Sequence, residues 1–129
     1  MLSGHGYSTV TEVTLPNGRR ADILGVDAKG RLVIVEVKSG LADFIADSKW
    51  PEYAPFCDCF YFAVDPSFPH DRLPDGVGLI VADGFDGAIL RAAPETPLAA
   101  ARRRKMLIDI ARHAATRLHR AEDPAKAAG

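Results

Sequence analysis

Three segments near the start of the chain carry apolar and β-branched residues in patterns that predict strands. Residues 8–14 (STVTEVT) and 20–26 (RADILGV) are followed by residues 32–38 (LVIVEVK), an almost continuous apolar run. Turn residues separate them at positions 16–18 (PNG) and 27–30 (DAKG). Because a strand without polar alternation is typically buried on both faces, the third segment is expected at the centre of a sheet.

The next segments predict a crossover helix followed by further strands. In residues 41–49 apolar side chains recur at helical spacing, and a helix there would carry the chain across the sheet. Such a crossover places the fourth strand, residues 60–64, parallel to the third. Residues 77–82 (VGLIVA) predict a short fifth strand, and residues 88–91 predict the return strand of a small edge hairpin.

The last part of the chain predicts one amphipathic helix, which begins at Pro97 and ends near His119. The apolar positions at helical spacing are Leu107, Ile110, Ala111, Ala114 and Leu118. The order β-β-β-α-β-β-α therefore predicts an α/β fold with one mixed sheet. Its parts are a three-stranded antiparallel meander, a crossover helix, a parallel fourth strand, short extra strands and the C-terminal helix.

Length and composition are typical of one globular domain. The 129 residues are 47% hydrophobic and 26% charged, and we expect a single domain over residues 1–120 with a tail at 121–129. No apolar run approaches the roughly 18 residues that span a bilayer, and residues 1–10 lack the features of a signal peptide. The two cysteines, in one C-x-C pair, are too few for a disulfide framework or a tetrahedral zinc site. We therefore expect a cytoplasmic protein without membrane contact.

The net charge of −1 conceals an uneven distribution. Residues 97–120 hold seven Arg and Lys side chains against one acid, so this segment carries +6 and the rest of the chain −7. A basic stripe of this kind is either a phosphate-facing surface or a solvated helix face, and the sequence leaves both open. The candidate DNA contacts within it are Arg102, Arg103 and Arg104.

Two turns of the same form set the register of the first three strands. In residues 27–31 (DAKGR) the glycine suits the left-handed position of a three-residue hairpin loop, so partner numbers across the second and third strands add up to 58. Residues 15–19 (LPNGR) have the same pattern, which gives sums of 34 across the first and second strands. If Asn17-Gly18 instead forms a two-residue type I′ turn, this first pairing shifts by one residue.

This register brings acidic side chains from three strands together. Asp22 faces Glu36, Glu12 faces Asp22, and Lys38 lies two residues beyond Glu36 on the same face. The type I′ turn would remove Glu12 alone from the row. The plainer interpretation is that Asp22, Glu36 and Lys38 merely occupy strand ends and never meet.

A divalent cation would give such a row a physical reason. Like charges opposite each other in a sheet cost roughly 0.2–1 kcal/mol per pair. Mg²⁺ or Mn²⁺ prefers oxygen ligands, and two carboxylates with a backbone carbonyl such as that of Val37 would leave positions for water and a phosphate oxygen. Lys38 would then orient or help to deprotonate the attacking water and stabilise charge on the phosphate.

Four stretches carry a resemblance to a known family: residues 11–15 (TEVTL), 18–22 (GRRAD), 34–39 (IVEVKS) and 49–53 (KWPEY). They resemble the MmcB-like DNA repair proteins over roughly residues 5–120. More broadly, Asp on one strand and Glu-x-Lys on the next, followed by a crossover helix, is similar to the PD-(D/E)XK nuclease superfamily, the restriction-endonuclease-like fold. The resemblance implies Asp22 and Glu36 as metal ligands, Lys38 as the catalytic lysine and DNA as the substrate.

Some features depart from the superfamily pattern. The superfamily usually opens with a helix that often bears an acidic site residue, whereas only residues 1–7 precede the first strand here. Glu12 is our candidate for that acidic role, and Ala21 stands where the superfamily's name has Pro. Lys49 and Tyr53 are similar to the Gln-x-x-x-Tyr element that some branches place beside the metal site, although a proline interrupts the segment between them.

These observations predict a metal-dependent DNA endonuclease that acts in DNA repair, with Mg²⁺ or Mn²⁺ as cofactor. The alternative is a non-catalytic DNA-binding or protein-interaction module that keeps the fold. Arg19 and Arg20 follow a turn and either contact DNA near the site or serve solubility. Because the first helix is short, one face of the central strand lacks cover if both other helices pack on the same side, and a homodimer is then expected.

Overall fold

The computed structural model describes residues 1–40, 49–69, 71, 73–83 and 86–123, and its centre is a six-stranded sheet. The strands lie side by side in chain order: β1 (Ser8–Thr14), β2 (Arg20–Val26), β3 (Leu32–Val37), β4 (Cys59–Val64), β5 (Gly78–Ala82) and β6 (Gly87–Arg91). Neighbours are antiparallel except β3–β4 and β4–β5, which are parallel. The predicted mixed α/β sheet is confirmed, and β1 and β2 have the predicted bounds.

Helical structure flanks this sheet. The described residues contain one α-helix, α1 (Ala100–Glu122), and short 3₁₀ helices at Leu2–His5, Trp50–Glu52 and Ala54–Phe56. Helix α1 begins three residues after Pro97 and includes Ala121 and Glu122, which were expected in the tail. The predicted crossover helix lies outside the described residues except for Lys49. No helix in the described ranges is long and apolar enough to cross a bilayer.

Helix α1 packs on one side of the sheet, called here the helix face. Met106 and Ile110 are its buried residues, and they join a core cluster that includes Leu24, Ile34 and Phe62. The predicted apolar stripe ends there: Leu107 is partly buried, but Ala111, Ala114 and Leu118 are exposed. The reason is that the second half of α1 runs along the edge strand β1 and presents polar side chains to it.

The other side of the sheet, called here the second face, has a smaller cluster formed by Val33, Val35, Tyr61 and Ile80. Met1, Leu2 and Tyr7 pack against it, so these residues cover part of this face. An apolar cavity of about 670 Å³ lies between these N-terminal residues and the sheet. Cover by a second copy of the chain stays a prediction.

Both hairpin loops have the predicted form. Gly18 and Gly30 adopt left-handed φ values of 86° and 83°. The N–H···O distances that close the loops are 2.7 Å from Leu15 to Arg19 and 3.0 Å from Asp27 to Arg31. The observed partners add up to 34 for β1–β2 and 58 for β2–β3, so the predicted register is confirmed and the type I′ alternative is excluded.

The two strands share one irregularity that the register alone does not reveal. On β1, Val10 and Val13 both face the helix face, although Thr11 between them lines the cavity of the second face. On β2, Ala21 and Leu24 both face the helix face. The alternation of side chains between the two faces therefore slips by one residue on both strands, at the level of Glu12 and Asp22. Glu12 has a left-handed φ of 54° at this point.

Candidate active site

Asp22 and Glu36 come together near the start of β2 and the end of β3, where each carboxylate accepts a backbone N–H from the other strand. The Asp22 N–H donates to Glu36 Oε1 over 3.0 Å, and the Val37 N–H donates to Asp22 Oδ2 over 2.9 Å. Regular β2–β3 pairing ends one step earlier, at Ile23 and Val35. Each carboxylate thus takes the place of a main-chain carbonyl as hydrogen-bond acceptor, because the slip at Asp22 interrupts the regular pairing of β2 and β3. The structure brings the two predicted residues together.

The environment of the pair opposes two negative charges. Glu36 is only 4% exposed, on the rim of the buried core. Burial first, and then the neighbouring Asp22 carboxyl, raises the pKa of Glu36 to about 8, while the nearby Lys38 acts in the opposite direction. Without a cation, the site therefore favours the protonated, neutral form of Glu36 near neutral pH.

The donor set at this point fits a hard divalent cation. Each carboxylate uses one oxygen for a backbone N–H, as Oε1 of Glu36 and Oδ2 of Asp22 do, and each has a second oxygen. The carbonyl of Val37 lies on the same side of β3 as its N–H, because both groups of one strand residue point to the same neighbour. These are the oxygen donors that Mg²⁺ or Mn²⁺ prefers.

Lys38 follows β3 and lies close enough to Glu36 for its positive charge to lower the Glu36 pKa. Its backbone N–H donates to Ala63 O over 2.9 Å, which continues the β3–β4 pairing by one residue. Lys38 is half-buried and also borders the second-face cavity, whose lining includes neither Asp22 nor Glu36. The placement of the lysine side chain at the carboxylate pair, which the motif implies, stays a prediction.

Glu12 does not complete a row of three carboxylates. It stands opposite Asp22 by number, but the two residues are missing from the β1–β2 pairs, and Glu12 is exposed with a left-handed backbone. Within the described part of the chain, no three His, Cys, Asp or Glu side chains form a group that could hold a metal. The reason is the one-residue slip in β1 and β2, because the register predicted from the turns assumes regular alternation along both strands.

Lys49 and Tyr53 flank the 3₁₀ helix Trp50–Glu52. Lys49 is exposed and is the residue before that helix. The Tyr53 hydroxyl donates to Arg20 O over 3.4 Å, and the Tyr53 ring packs against Phe60 at a centroid distance of 5.9 Å. Tyr53 thus contacts β2 two residues before Asp22, so its observed role is to support the strand that carries the site.

The arginines predicted to contact DNA have different surroundings. Arg19 forms an ion pair with Glu52 over 2.8 Å, and Arg20 is exposed at the start of β2. Arg102 stacks over the Phe56 ring at 4.6 Å and donates to Pro55 O. Arg104 is exposed.

Arg103 requires a correction. Its guanidinium forms two bonds to the carboxylate of Asp58, of 2.6 and 2.8 Å, and a third of 2.7 Å to Gly30 O. The side chain of Asp58 is 1% exposed in this ion pair. Arg103 is therefore engaged inside the protein, where it holds α1 to the start of β3 and β4, and is not presented as a DNA contact.

Asp58 was missed by the sequence analysis. Its carboxylate accepts from the backbone N–H groups of Leu32 and Leu98 as well as from Arg103, and so joins three parts of the chain. An acid between two cysteines at the entry of an apolar strand was the available signal. Also missed were Arg112, His113, Arg117 and Arg120, which lie within the basic segment but were given no individual role.

Comparison with known proteins identifies the family. A family model described as DNA repair protein MmcB-like matches residues 1–125. Among solved structures the chain is similar to the SPO1766 protein of unknown function from Silicibacter pomeroyi, with 44% identity, 95% of this chain and 84% of that chain covered, and a TM-score of 0.90. No curated protein matches. Because the family model covers nearly the whole chain, this protein belongs to the MmcB-like family of DNA repair proteins.

Proposed function

We propose that this protein is a metal-dependent DNA endonuclease that acts in DNA repair. The observation that carries the proposal is the Asp22–Glu36 pair. Each carboxylate accepts a backbone N–H from the strand that carries the other, and Glu36 is buried. Two acids in one buried site are costly without a counter-charge, and a cation supplies one. Membership of a DNA repair family supports DNA as the substrate class.

Asp22, Glu36 and the Val37 carbonyl would hold Mg²⁺ or Mn²⁺ in this proposal. When bound, the ion supplies positive charge that polarises the phosphodiester and lowers the pKa of water. Lys38, beside Glu36, positions the attacking water and stabilises the charge that develops on the phosphate. The reciprocal hydrogen bonds keep both carboxylates fixed before DNA arrives, which reduces the cost of ordering them.

The test is a nuclease assay with single-stranded, duplex and branched DNA, in Mg²⁺, Mn²⁺ or EDTA. The diagnostic variants are Asp22→Asn and Glu36→Gln, since each keeps an oxygen that can accept the observed backbone hydrogen bond and removes only the charge. We expect metal-dependent cleavage that falls at least about 100-fold in either variant, by analogy with loss of one electrostatic catalytic contact.

Glu95→Gln is the matched control, because Glu95 is an exposed acid that forms an ion pair with Arg31 at the far end of β3. It should cleave as the parent does. Cleavage that persists in EDTA, or that is unchanged in Asp22→Asn, contradicts the proposal. DNA binding without cleavage of any DNA form would favour a non-catalytic DNA-binding relative.

A further inference from the structure

A polar groove separates the second half of α1 from the edge of the sheet. It has a volume of about 550 Å³. Its lining residues, called here the Arg groove, are Thr14, Asp109, Arg112, His113, Thr116, Arg117 and Arg120. Six of them recur on α1 at intervals of three and four residues and so form one stripe that faces Thr14 at the end of β1.

The position of this stripe is unusual for its composition. A helix stripe that faces a sheet is normally apolar, and in the first half of α1 it is, with Met106 and Ile110 buried. Beyond Ile110 the sheet-facing positions become Arg, His and Thr. Since these residues add no apolar burial, the core does not explain why α1 continues for three more turns beside β1.

The Arg groove carries excess positive charge. Among its described lining residues Asp109 is the single acid, and it already forms an ion pair with Lys105 over 2.9 Å. Among the described residues, no ion pair engages Arg112, Arg117 or Arg120. In addition, Nε2 of His113 is buried and has no hydrogen-bond partner within the described part of the chain. An anion in the groove would meet the guanidinium groups of Arg112, Arg117 and Arg120, with His113 beside them.

Arg117 connects the groove to the carboxylate pair. Its guanidinium donates to Glu12 O over 3.1 Å and to Thr11 Oγ1 over 3.2 Å. Glu12 is the position on β1 opposite Asp22, and neighbouring strands lie about 4.8 Å apart. Arg117, one of the groove residues, therefore contacts the strand next to β2 at the position opposite Asp22.

We propose that the Arg groove binds the phosphodiester backbone of DNA next to the site of cleavage. Arg112 and Arg120 are eight residues apart, about 12 Å along the helix, so the groove is long enough to reach more than one phosphate of one strand. The groove thus fits a short run of one backbone. This inference rests on the proposed function only for the choice of DNA as ligand.

The test is binding of fluorescein-labelled single-stranded and duplex oligonucleotides in EDTA, where no cleavage occurs, between 50 and 200 mM salt. Arg112→Gln/Arg120→Gln is compared with Arg102→Gln/Arg104→Gln, which removes the same charge from the other end of the same helix. Loss of two phosphate contacts should lower the salt slope by up to about 1.8 for duplex and about 1.4 for single strands. The affinity ratio between parent and groove variant should then grow about 12-fold for duplex as salt falls from 200 to 50 mM.

A groove-specific loss on either DNA form, with a shift of the His113 imidazole resonance on titration, supports the inference. Equal losses in the two double variants overturn it, because they indicate diffuse electrostatic attraction. Failure of the parent protein to bind either oligonucleotide also overturns it. Metal-dependent cleavage that persists while the groove variant binds as the parent does would reject the groove and leave the nuclease proposal intact.

Discussion

Removal of Arg103 should destabilise this protein far more than removal of its neighbour Arg104. Both substitutions delete one positive charge from the same turn of α1. Arg103 alone is engaged with Asp58, whose side chain is 1% exposed, whereas Arg104 is exposed. In Arg103→Ala the carboxylate keeps only the backbone N–H groups of Leu32 and Leu98.

The magnitude follows from what remains buried. Leaving one partner of a buried ion pair uncompensated costs about 3–5 kcal/mol, and for a chain of this length that corresponds to a fall in Tm of about 10–20 °C. An exposed substitution such as Arg104→Ala should change the free energy of unfolding by less than about 0.5 kcal/mol. The difference between the two variants is the measured quantity.

The pH dependence provides a second readout. Burial tends to raise the pKa of Asp58, but the hydrogen bonds from Arg103 and two backbone N–H groups outweigh it and hold the pKa below its ordinary value. A depressed pKa contributes stability that is complete above the unfolded value, about 3.9, and is lost as the pH falls through the folded value. The gap in Tm between the parent and Arg103→Ala should therefore be widest above about pH 4 and narrow below it.

Urea denaturation and thermal scans of both variants, between pH 3 and pH 7, measure these effects. Equal stability of Arg103→Ala and Arg104→Ala at pH 7 would refute the structural role given to the ion pair. A difference in Tm between the parent and Arg103→Ala that widens as the pH falls would refute the conclusion that Arg103 stabilises the ionised form of Asp58.

Two further predictions concern packing and assembly. Gly78→Ala should lower the free energy of unfolding by about 1–3 kcal/mol, because the new methyl would overlap the buried Tyr61 ring and lie 2.8 Å from Ala93 N, whereas Gly4→Ala, with nothing within 4 Å, should be neutral. Urea denaturation of both variants decides, and equal midpoints would contradict the packing argument. The second face of the sheet is predicted to be buried in a homodimer with an interface above roughly 1,000 Å², so light scattering should give twice the 13.9 kDa chain mass, and a concentration-independent 13.9 kDa particle would contradict it.

The register of the first three strands was predictable because two glycines impose it. Gly18 and Gly30 occupy left-handed positions that other residues rarely adopt, and each therefore fixes a loop length and the pairing that follows from it. Once the partner sums of 34 and 58 are set, Asp22 must reach Glu36. The meeting of Asp22 and Glu36 was for this reason within reach of the sequence alone.

The slip at Glu12 and Asp22 was not predicted, because the β1–β2 pairs before it and after it have the same partner sum. Its signal was the spacing of Val10 and Val13, which are three positions apart although both face the core. The ion pair of Arg103 and Asp58 was out of reach for a different reason. It joins residues 45 positions apart, and their meeting depends on where α1 crosses the sheet.

The central claim is that Asp22 and Glu36 form a cation site, and calorimetric titration with Mn²⁺ tests it most directly. The parent protein should bind close to one ion per chain, Asp22→Asn and Glu36→Gln should lose that binding, and Glu95→Gln should keep it. No heat with the parent protein, or equal affinity in Asp22→Asn and the parent, would contradict the claim.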